Sequence, residues 1–357
     1  MTQTLAARPR RPTRQVRVGE VFIGGGAPVS VQTMTKTDTA DAAATLGQIR
    51  AAAAAGADLV RVAVPRATAL AAFERICAQS PLPVIADLHF DYRLAIEAAR
   101  RGAAKLRVNP GNLGGRERFA AVLEAAAQAG IPVRLGVNAG SLPLDLLEQF
   151  GGPTAEAMAV AGQRMAQEAE ALGFRDLVVS LKASDLARTL AANRLFAADS
   201  DLPLHLGVTE AGRGPEAVIR SALGIGLLLA EGIGDTLRVS LTDEPTEEVW
   251  AGRQILQALG LREGPALVSC PTCGRCRVDL VPLVEAAREA LREVSAPVVV
   301  AVMGCEVNGP GEARHADLGL AAGGDYAAIF RQGQVVRRVP MAEAADALRE
   351  EIAGLAD

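Results

Sequence analysis

The fold of this chain is indicated by one short stretch, Ala51-Ala-Ala-Ala-Ala-Gly-Ala-Asp-Leu-Val-Arg-Val-Ala63. Its first half is an alanine-rich helical segment that stops at a glycine, the residue best suited to the left-handed position just past a helix C-terminus. Its second half is a run of mostly branched apolar residues, which is typical of a buried strand in a parallel sheet. The stretch therefore predicts a helix followed directly by a buried strand.

The same order of helix, glycine and strand recurs from Pro28 to Leu241. Eight strands are predicted, beginning near Val29, Asp58, Leu82, Lys105, Ile131, Asp176, Leu204 and Thr236. Most starts are about 22 to 32 residues apart, the length of a βα unit, and the longer gap between the fifth and the sixth predicts an extra helical segment. Eight such units predict a (β/α)8 barrel. An open doubly wound sheet is the alternative, but the chain has neither a G-x-G-x-x-G motif nor a P-loop.

Changes in composition divide the chain into three parts. Residues 1–27 are predicted to form a basic tail and a β-hairpin that caps the bottom of the barrel. Residues 28–263 are predicted to form the barrel itself. The character of the sequence changes near Leu261-Arg-Glu-Gly-Pro265, and residues 264–357 are predicted to form a small α/β domain that contains a cysteine-rich turn.

Bulk properties exclude several classes of function. The formal charge of -4 argues against a nucleic-acid-binding protein, whose domain would be strongly basic. No apolar run approaches the roughly 20 residues that span a bilayer, and the basic N-terminus lacks the apolar core of a signal peptide. Five cysteines with Cys-x2-Cys spacing fit a reducing cytoplasm.

Four predicted strands are interrupted near their carboxyl ends by a cation, where barrel enzymes place their chemistry. The four are Arg61, Arg107, Arg134 and Lys182. A buried cation is costly unless an anion meets it, and the acids nearby are chiefly Asp87 and Glu210. The surplus predicts a multiply charged anionic ligand, and phosphate or diphosphate suits the guanidinium fork. The alternative is that these cations form internal ion pairs or face outward.

Four of the five cysteines lie in two loops, Cys270-Pro-Thr-Cys-Gly-Arg-Cys276 and Met303-Gly-Cys-Glu-Val-Asn-Gly-Pro-Gly-Glu312. Thiolates at this spacing are typical of metal sites, and either a zinc ribbon or an iron–sulfur cluster fits them. Spacing favours all four of these cysteines as ligands. The tight turn before Glu312 would also let a carboxylate, a weaker ligand for a soft metal, reach the same site. Spacing alone does not decide between Cys276 and Glu312.

Several strings resemble the family of 4-hydroxy-3-methylbut-2-enyl diphosphate synthases, and the resemblance covers nearly the whole chain. They include Ala86-Asp-Leu-His-Phe-Asp-Tyr-Arg93, Leu106-Arg-Val-Asn-Pro-Gly-Asn112, Leu206-Gly-Val-Thr-Glu-Ala-Gly212, the segments 25–35, 136–141, 181–185 and 232–241, and the two cysteine loops. The resemblance implies a (β/α)8 barrel followed by a small cluster domain. It implies a [4Fe–4S] cluster held by Cys270, Cys273, Cys305 and Glu312, which leaves Cys276 for packing.

The resemblance also implies a reaction. A cyclic diphosphate, 2-C-methyl-D-erythritol 2,4-cyclodiphosphate, is reductively opened and dehydroxylated to (E)-4-hydroxy-3-methylbut-2-enyl diphosphate. The two electrons come from a ferredoxin or a flavodoxin. A homodimer is implied, in which the cluster domain of one subunit closes over the barrel of the other.

Roles for the strand-end residues follow from the same resemblance. The diphosphate would be held by Arg61, Arg107, Arg134, Asn138, Lys182, Thr209 and Ser240. Asp87, His89 and Glu210 would surround the reacting carbons, with Glu210 a candidate proton donor. Two other hypotheses are a redox-silent barrel transferase with a zinc-stabilised tail, and a non-catalytic protein that stores or relays electrons.

Overall fold

The computed structural model describes residues 8–276, 278–305 and 316–355. The chain forms two compact units, and the boundary between them falls between Arg262 and Glu263. Each unit has its own hydrophobic core.

The first unit begins with the predicted hairpin, β1 (Val16–Val18) and β2 (Val21–Ile23), which pair antiparallel. Eight parallel strands follow: β3 (Ser30–Met34), β4 (Leu59–Ala63), β5 (Val84–Asp87), β6 (Lys105–Val108), β7 (Val133–Asn138), β8 (Leu177–Lys182), β9 (His205–Leu206) and β10 (Thr236–Leu237). They pair in the order β8-β7-β6-β5-β4-β3-β10-β9. A parallel bridge between Val179 and Leu204 joins the two ends of the sheet. This closed order confirms the (β/α)8 barrel and excludes the open sheet.

Helices alternate with the strands and cover the barrel. They are α1 (Ala42–Ala54), α2 (Leu70–Gln79), α3 (Tyr92–Arg100), α4 (Arg116–Ala129), α5 (Leu144–Phe150), α6 (Ala155–Ala171), α7 (Leu186–Ala198), α8 (Gly214–Ala230) and α9 (Pro245–Ala258). Helix α5 is the extra segment predicted between the fifth and sixth strands. Side chains such as Asp41, Thr154 and Asp185 accept hydrogen bonds from first-turn N–H groups and start α1, α6 and α7. Gly130 ends α4 in the left-handed conformation that the sequence predicted.

The hairpin closes the amino-terminal end of the barrel. Its buried residues Val16, Val18 and Ile23 form one apolar cluster with three residues near the starts of barrel strands, Leu59, Ile85 and Val178. Because these contacts fill the interior at that end, the carboxyl ends of the strands are the end left to bind a ligand. The predicted capping role of the hairpin is confirmed.

In its described residues, the second unit forms a mixed five-stranded sheet and two helices. Its strands are β11 (Ala266–Ser269), β12 (Val299–Met303), β13 (Leu318–Gly323), β14 (Tyr326–Arg331) and β15 (Gln334–Pro340), paired in chain order, with the first three parallel. Its helices are α10 (Val281–Ala290) and α11 (Ala344–Ala353). The sequence analysis missed β11, which is largely exposed, and β13, whose glycine and alanine content gives little β signal.

Ile23→Ala should destabilise the first unit by roughly 2–5 kcal/mol, because it leaves a cavity in the apolar cluster described above. We call this cluster of hairpin and strand residues the plug. Phe22→Ala is the matched control, since Phe22 is the neighbouring residue of the same strand and is 45% exposed. Urea unfolding followed by circular dichroism measures both. Equal effects of the two changes would contradict a buried plug.

Candidate active site at the mouth of the barrel

The carboxyl ends of the barrel strands surround two adjoining cavities of about 410 and 210 Å³. The two share five lining residues, His89, Arg107, Asn138, Lys182 and Thr209. Every residue that the sequence analysis assigned to the barrel site lines one or both: Arg61, Asp87, His89, Arg107, Arg134, Asn138, Lys182, Thr209, Glu210 and Ser240. The structure therefore brings this predicted set together.

Strand register explains why the charged residues share the interior. Ala63 is paired with Asp87, Asp87 with Arg107, and Arg107 with Arg134 across neighbouring parallel strands. Paired residues point to the same side of a sheet, and residues two apart on one strand do so as well. Arg61 therefore faces the interior beside Asp87. Arg61 on β4, Arg107 on β6 and Arg134 on β7 line the inside of the barrel, with Asp87 on β5 between the first two. We call these three arginines the cationic belt.

Asp87 is the carboxylate within this belt. Its Oδ1 lies 3.3 Å from Nη1 of Arg107, and its Oδ2 lies 3.8 Å from Nε of Arg61. Burial alone would raise the pKa of Asp87, but the positive charges of Arg61 and Arg107 outweigh it and hold that pKa below its usual value. Asp87 is therefore ionised at neutral pH and is engaged by two arginines.

His89 is held in a defined state by its neighbour. Nη1 of Arg107 lies 2.7 Å from Nε2 of His89. An arginine can only donate, so Nε2 accepts this bond and the neutral ring carries its proton on Nδ1. Burial lowers the pKa of His89, and the positive charge of Arg107 adds to that effect although Asp87 opposes it. The ring is thus a neutral donor at Nδ1.

Two further cations have no carboxylate partner among the described residues. Arg134 is 1% exposed, and its Nε and Nη1 make no hydrogen bond to any described residue. Burial lowers the pKa of both Arg134 and Lys182 far below their usual values, and the neighbouring arginines lower each of them further. Holding these charges inside the barrel is unfavourable until an anion arrives. The predicted cation surplus is therefore present in the cavity.

The sequence analysis missed one member of the charge network, Glu248 on α9. This buried carboxylate accepts hydrogen bonds from Nη2 and Nε of Arg238, at 2.8 and 3.1 Å, and from Oγ1 of Thr33 at 2.9 Å. Arg238 lines the cavity but is neutralised by this pair. A signal existed in the sequence, because Glu248 lies three residues after Pro245 and four before Gly252, on the buried face of α9.

Two glycines on the barrel wall were also missed. A Cβ at Gly136 would lie 2.8 Å from Nη2 of Arg107, and a Cβ at Gly207 would lie 2.7 Å from Nζ of Lys182. A Cβ at Gly207 would also lie 2.6 Å from the backbone carbonyl oxygen of Arg238, so the backbone would have to shift, whereas a Cβ at Gly136 would displace the end of the Arg107 side chain. Because glycine has no side chain, these two positions leave the space that the ends of Arg107 and Lys182 occupy.

The rim carries two residues in a conformation unusual for side chains with a Cβ. Glu210 has a φ of 56° and Phe90 has a φ of 65°, and both are exposed. Left-handed non-glycine residues concentrate at functional loops, where the rest of the structure imposes them. Glu210 lines the larger cavity, and Phe90 follows His89 directly.

In the second unit, the cysteine loops begin at one edge of the sheet. Cys270 directly follows β11 and Cys305 lies two residues beyond β12, and these strands are parallel neighbours. Cys273 and Cys276 are joined by a turn in which the N–H of Cys276 donates to the carbonyl of Cys273 at 2.8 Å. Sγ of Cys276 donates to the carbonyl of Val278 at 3.3 Å and also lies beside Gly304 of the second loop, where a Cβ would be 2.4 Å from the sulfur.

Within residues 8–276, 278–305 and 316–355, no three histidine, cysteine or carboxylate side chains lie close enough to hold a metal ion. Glu312, the fourth ligand that the resemblance implies, lies outside these ranges. The donor chemistry still fits a soft metal cluster, because thiols follow two adjacent parallel strands and softer metals prefer thiolate.

A closed parallel barrel with a cationic mouth, joined to a smaller unit with two cysteine loops, defines the class of protein: a (β/α)8 barrel protein with a cavity lined by cations. The chain belongs to the GcpE family. Residues 13–253 match the model of the GcpE TIM-barrel domain, and residues 266–354 match that of the GcpE protein C-terminal domain.

Curated relatives share about half of their residues with this chain. One from Geobacter sulfurreducens is 53% identical, covering 95% of this chain and 97% of its own, and one from Aquifex aeolicus is 49% identical, covering 96% of each. Both are named 4-hydroxy-3-methylbut-2-en-1-yl diphosphate synthase (flavodoxin). Among solved structures, a dihydropteroate synthase from Yersinia pestis matches with a TM-score of 0.48 and 17% identity, covering 69% of this chain and 98% of that one. None of the described helices has the length and apolar character needed to cross a membrane.

Glu248→Gln should destabilise the barrel by roughly 3–5 kcal/mol, because it removes the buried charge that meets Arg238. Glu244→Gln is the matched control, since Glu244 is an exposed residue that precedes the same helix and makes no capping hydrogen bond. Urea unfolding measures the difference. A loss no larger than that of the control would mean that Glu248 does not support the cationic belt.

Proposed function

We propose that this chain reduces 2-C-methyl-D-erythritol 2,4-cyclodiphosphate to (E)-4-hydroxy-3-methylbut-2-enyl diphosphate, a step of isoprenoid precursor biosynthesis. The observation that carries the proposal is the surplus of buried cations at one cavity in a chain of this family. A cyclic diphosphate supplies the clustered negative charge that Arg134 and Lys182 lack. The names of the relatives, at about 50% identity over nearly the whole chain, support the same reaction.

The diphosphate is bound by Arg61, Arg107, Arg134 and Lys182, with hydrogen bonds from Asn138, Thr209 and Ser240. The unpartnered Nε and Nη1 of Arg134 support this assignment, because both nitrogens have N–H groups free to donate to phosphate oxygens. Asp87 takes part indirectly: it orients Arg61 and Arg107 and keeps them from repelling each other in the empty cavity. Binding energy from the diphosphate then positions the carbon skeleton at the mouth.

The reaction breaks a carbon–oxygen bond to the ring phosphate, and a hydroxyl group leaves as water, which requires a proton. Glu210 on the rim is the candidate proton donor, because its carboxyl group lines the mouth of the cavity, where the leaving oxygen of the substrate would lie. His89, as a neutral Nδ1 donor fixed by Arg107, stabilises negative charge on a substrate oxygen.

A [4Fe–4S] cluster is the proposed cofactor, with Cys270, Cys273, Cys305 and Glu312 as its ligands. When bound, such a cluster supplies electrons one at a time. The internal hydrogen bond of Cys276 supports its exclusion from the ligand set. The proposal places the protein in the cytoplasm, where thiols stay reduced, as a homodimer that receives its electrons from a flavodoxin, with a ferredoxin as the alternative donor.

The test is purification without oxygen, followed by iron and sulfide analysis and a turnover assay with the cyclic diphosphate and reduced flavodoxin. We expect four iron and four sulfide per chain and formation of the linear diphosphate. Arg134→Met should keep the cluster but weaken substrate binding by at least tenfold. A colourless zinc protein would favour the redox-silent barrel, and a cluster without turnover would favour an electron-storing protein.

Two cysteine variants separate the ligand sets. Cys276→Ser should retain iron, because its sulfur is engaged within the loop, whereas Cys273→Ser should lose it. Iron content and the visible absorption of oxygen-free samples measure both. Loss of iron in Cys276→Ser would reinstate Cys276 as a ligand.

A further inference from the structure

The chain contains only three lysines among its 37 lysine and arginine residues: Lys36, Lys105 and Lys182. Every other cation, on the surface and in the barrel, is an arginine. Lys36 pairs with Glu248, and Lys182 lines the cavity described above. Lys105 belongs to neither arrangement. Lysine differs from arginine in one property that matters inside a protein, because an amine can give up its proton whereas a guanidinium does not.

Lys105 lies inside the barrel, below the cationic belt. It is paired with Ile85, a member of the plug cluster, and lies two residues before Arg107 on the same strand, so its side chain faces the interior. The residue is fully buried, and its Nζ makes no hydrogen bond to any described residue. A buried ammonium group without any acceptor is among the costliest arrangements in a protein.

The groups around Lys105 do not supply the missing charge. The charged and titratable residues described as facing the interior are Arg61 on β4, Asp87 on β5, His89 just beyond β5, Arg107 on β6, Arg134 on β7, Lys182 on β8, His205 on β9 and, just beyond β10, Arg238. Asp87 is engaged by Arg61 and Arg107, and Arg238 is neutralised by Glu248. His205 is buried and adds no negative charge. Strand β3 contributes the uncharged Gln32, whose amide is also unpartnered.

We propose that Lys105 is a proton acceptor beneath the diphosphate pocket: its amine is neutral in the empty protein and takes one proton from solvent when the diphosphate binds. The inference rests on the proposed diphosphate ligand. In the empty barrel, the amine has no acceptor and lies among cations. A bound diphosphate compensates Arg61, Arg107 and Arg134, and the interior then tolerates one more positive charge. Substrate binding and proton uptake are thereby coupled.

Burial and charge repulsion change the pKa of Lys105 in the same direction. Burial lowers the pKa of Lys105 far below its usual value, and repulsion by Arg134 and Arg61 lowers it further. An anion that offsets those charges raises the pKa again. Because the bound state holds the extra proton, affinity for the diphosphate is greatest below the free-state pKa. It falls by about tenfold per pH unit between the free and bound pKa values, and is flat outside that window.

The small number of lysines makes a direct test possible. The full-length protein, prepared with ¹³C at the lysine Cε, gives three signals whose shifts report amine charge, and Lys105→Met identifies the signal of interest. We expect Lys105 to be neutral at about pH 8 and to become charged on saturation with inorganic pyrophosphate. Lys36, which pairs with Glu248 and lines neither cavity, is the internal control, and pyrophosphate should leave its signal unchanged. Lys182 has its own signal, so its titration is read separately.

Calorimetry of pyrophosphate binding in buffers of different ionisation enthalpy measures the protons taken up. The wild type should take up close to one more proton per pyrophosphate than Lys105→Met. His205→Asn, which removes the other buried titratable group nearby, should match the wild type. A charged Lys105 in the empty protein, a Lys105 that stays neutral at saturation, or equal uptake in Lys105→Met would overturn the inference while leaving the proposed function standing. Failure of the wild type to bind pyrophosphate or the cyclic diphosphate would instead remove the proposed function, and this inference with it.

Discussion

The structure of the barrel is organised around a concentration of positive charge that the protein only partly neutralises. Arg61 on β4, Arg107 on β6 and Arg134 on β7 face the interior of the barrel, and Asp87, on β5 between the first two, is shared by them. A second carboxylate, Glu248, enters from a helix and is engaged by Arg238. The positive charge that remains favours the binding of an anion. It is energetically unfavourable by itself, because several buried donors have no acceptor among the described residues.

An anion can approach these charges from one end of the barrel, because the two ends differ. The hairpin fills one end with Val16, Val18 and Ile23, so water and ligands reach the charges only from the carboxyl ends of the strands. Two wall glycines leave room for cationic groups, and two left-handed residues shape the rim. The apolar plug, the cations and the rim thus form successive layers along the barrel axis.

In the second unit, the placement of the cysteine loops follows from strand pairing. Parallel pairing of β11 with β12 brings the starts of both cysteine loops to one edge of a small sheet. The sulfur of Cys276 donates to the carbonyl of Val278 within the first loop and lies beside Gly304 of the second.

The sequence by itself determined the eight-unit barrel, because glycine-ended helices and branched strands are local patterns that recur in order. It also determined the strand-end residues of the cavity, since the carboxyl ends of parallel strands must meet. It could not determine that Glu248 neutralises Arg238, that Gly136 and Gly207 accommodate cationic groups, or that Lys105 lies without a partner beneath the belt. Each of these depends on contacts between elements distant in the chain, and only the closed tertiary structure decides which side chains share a low-dielectric interior.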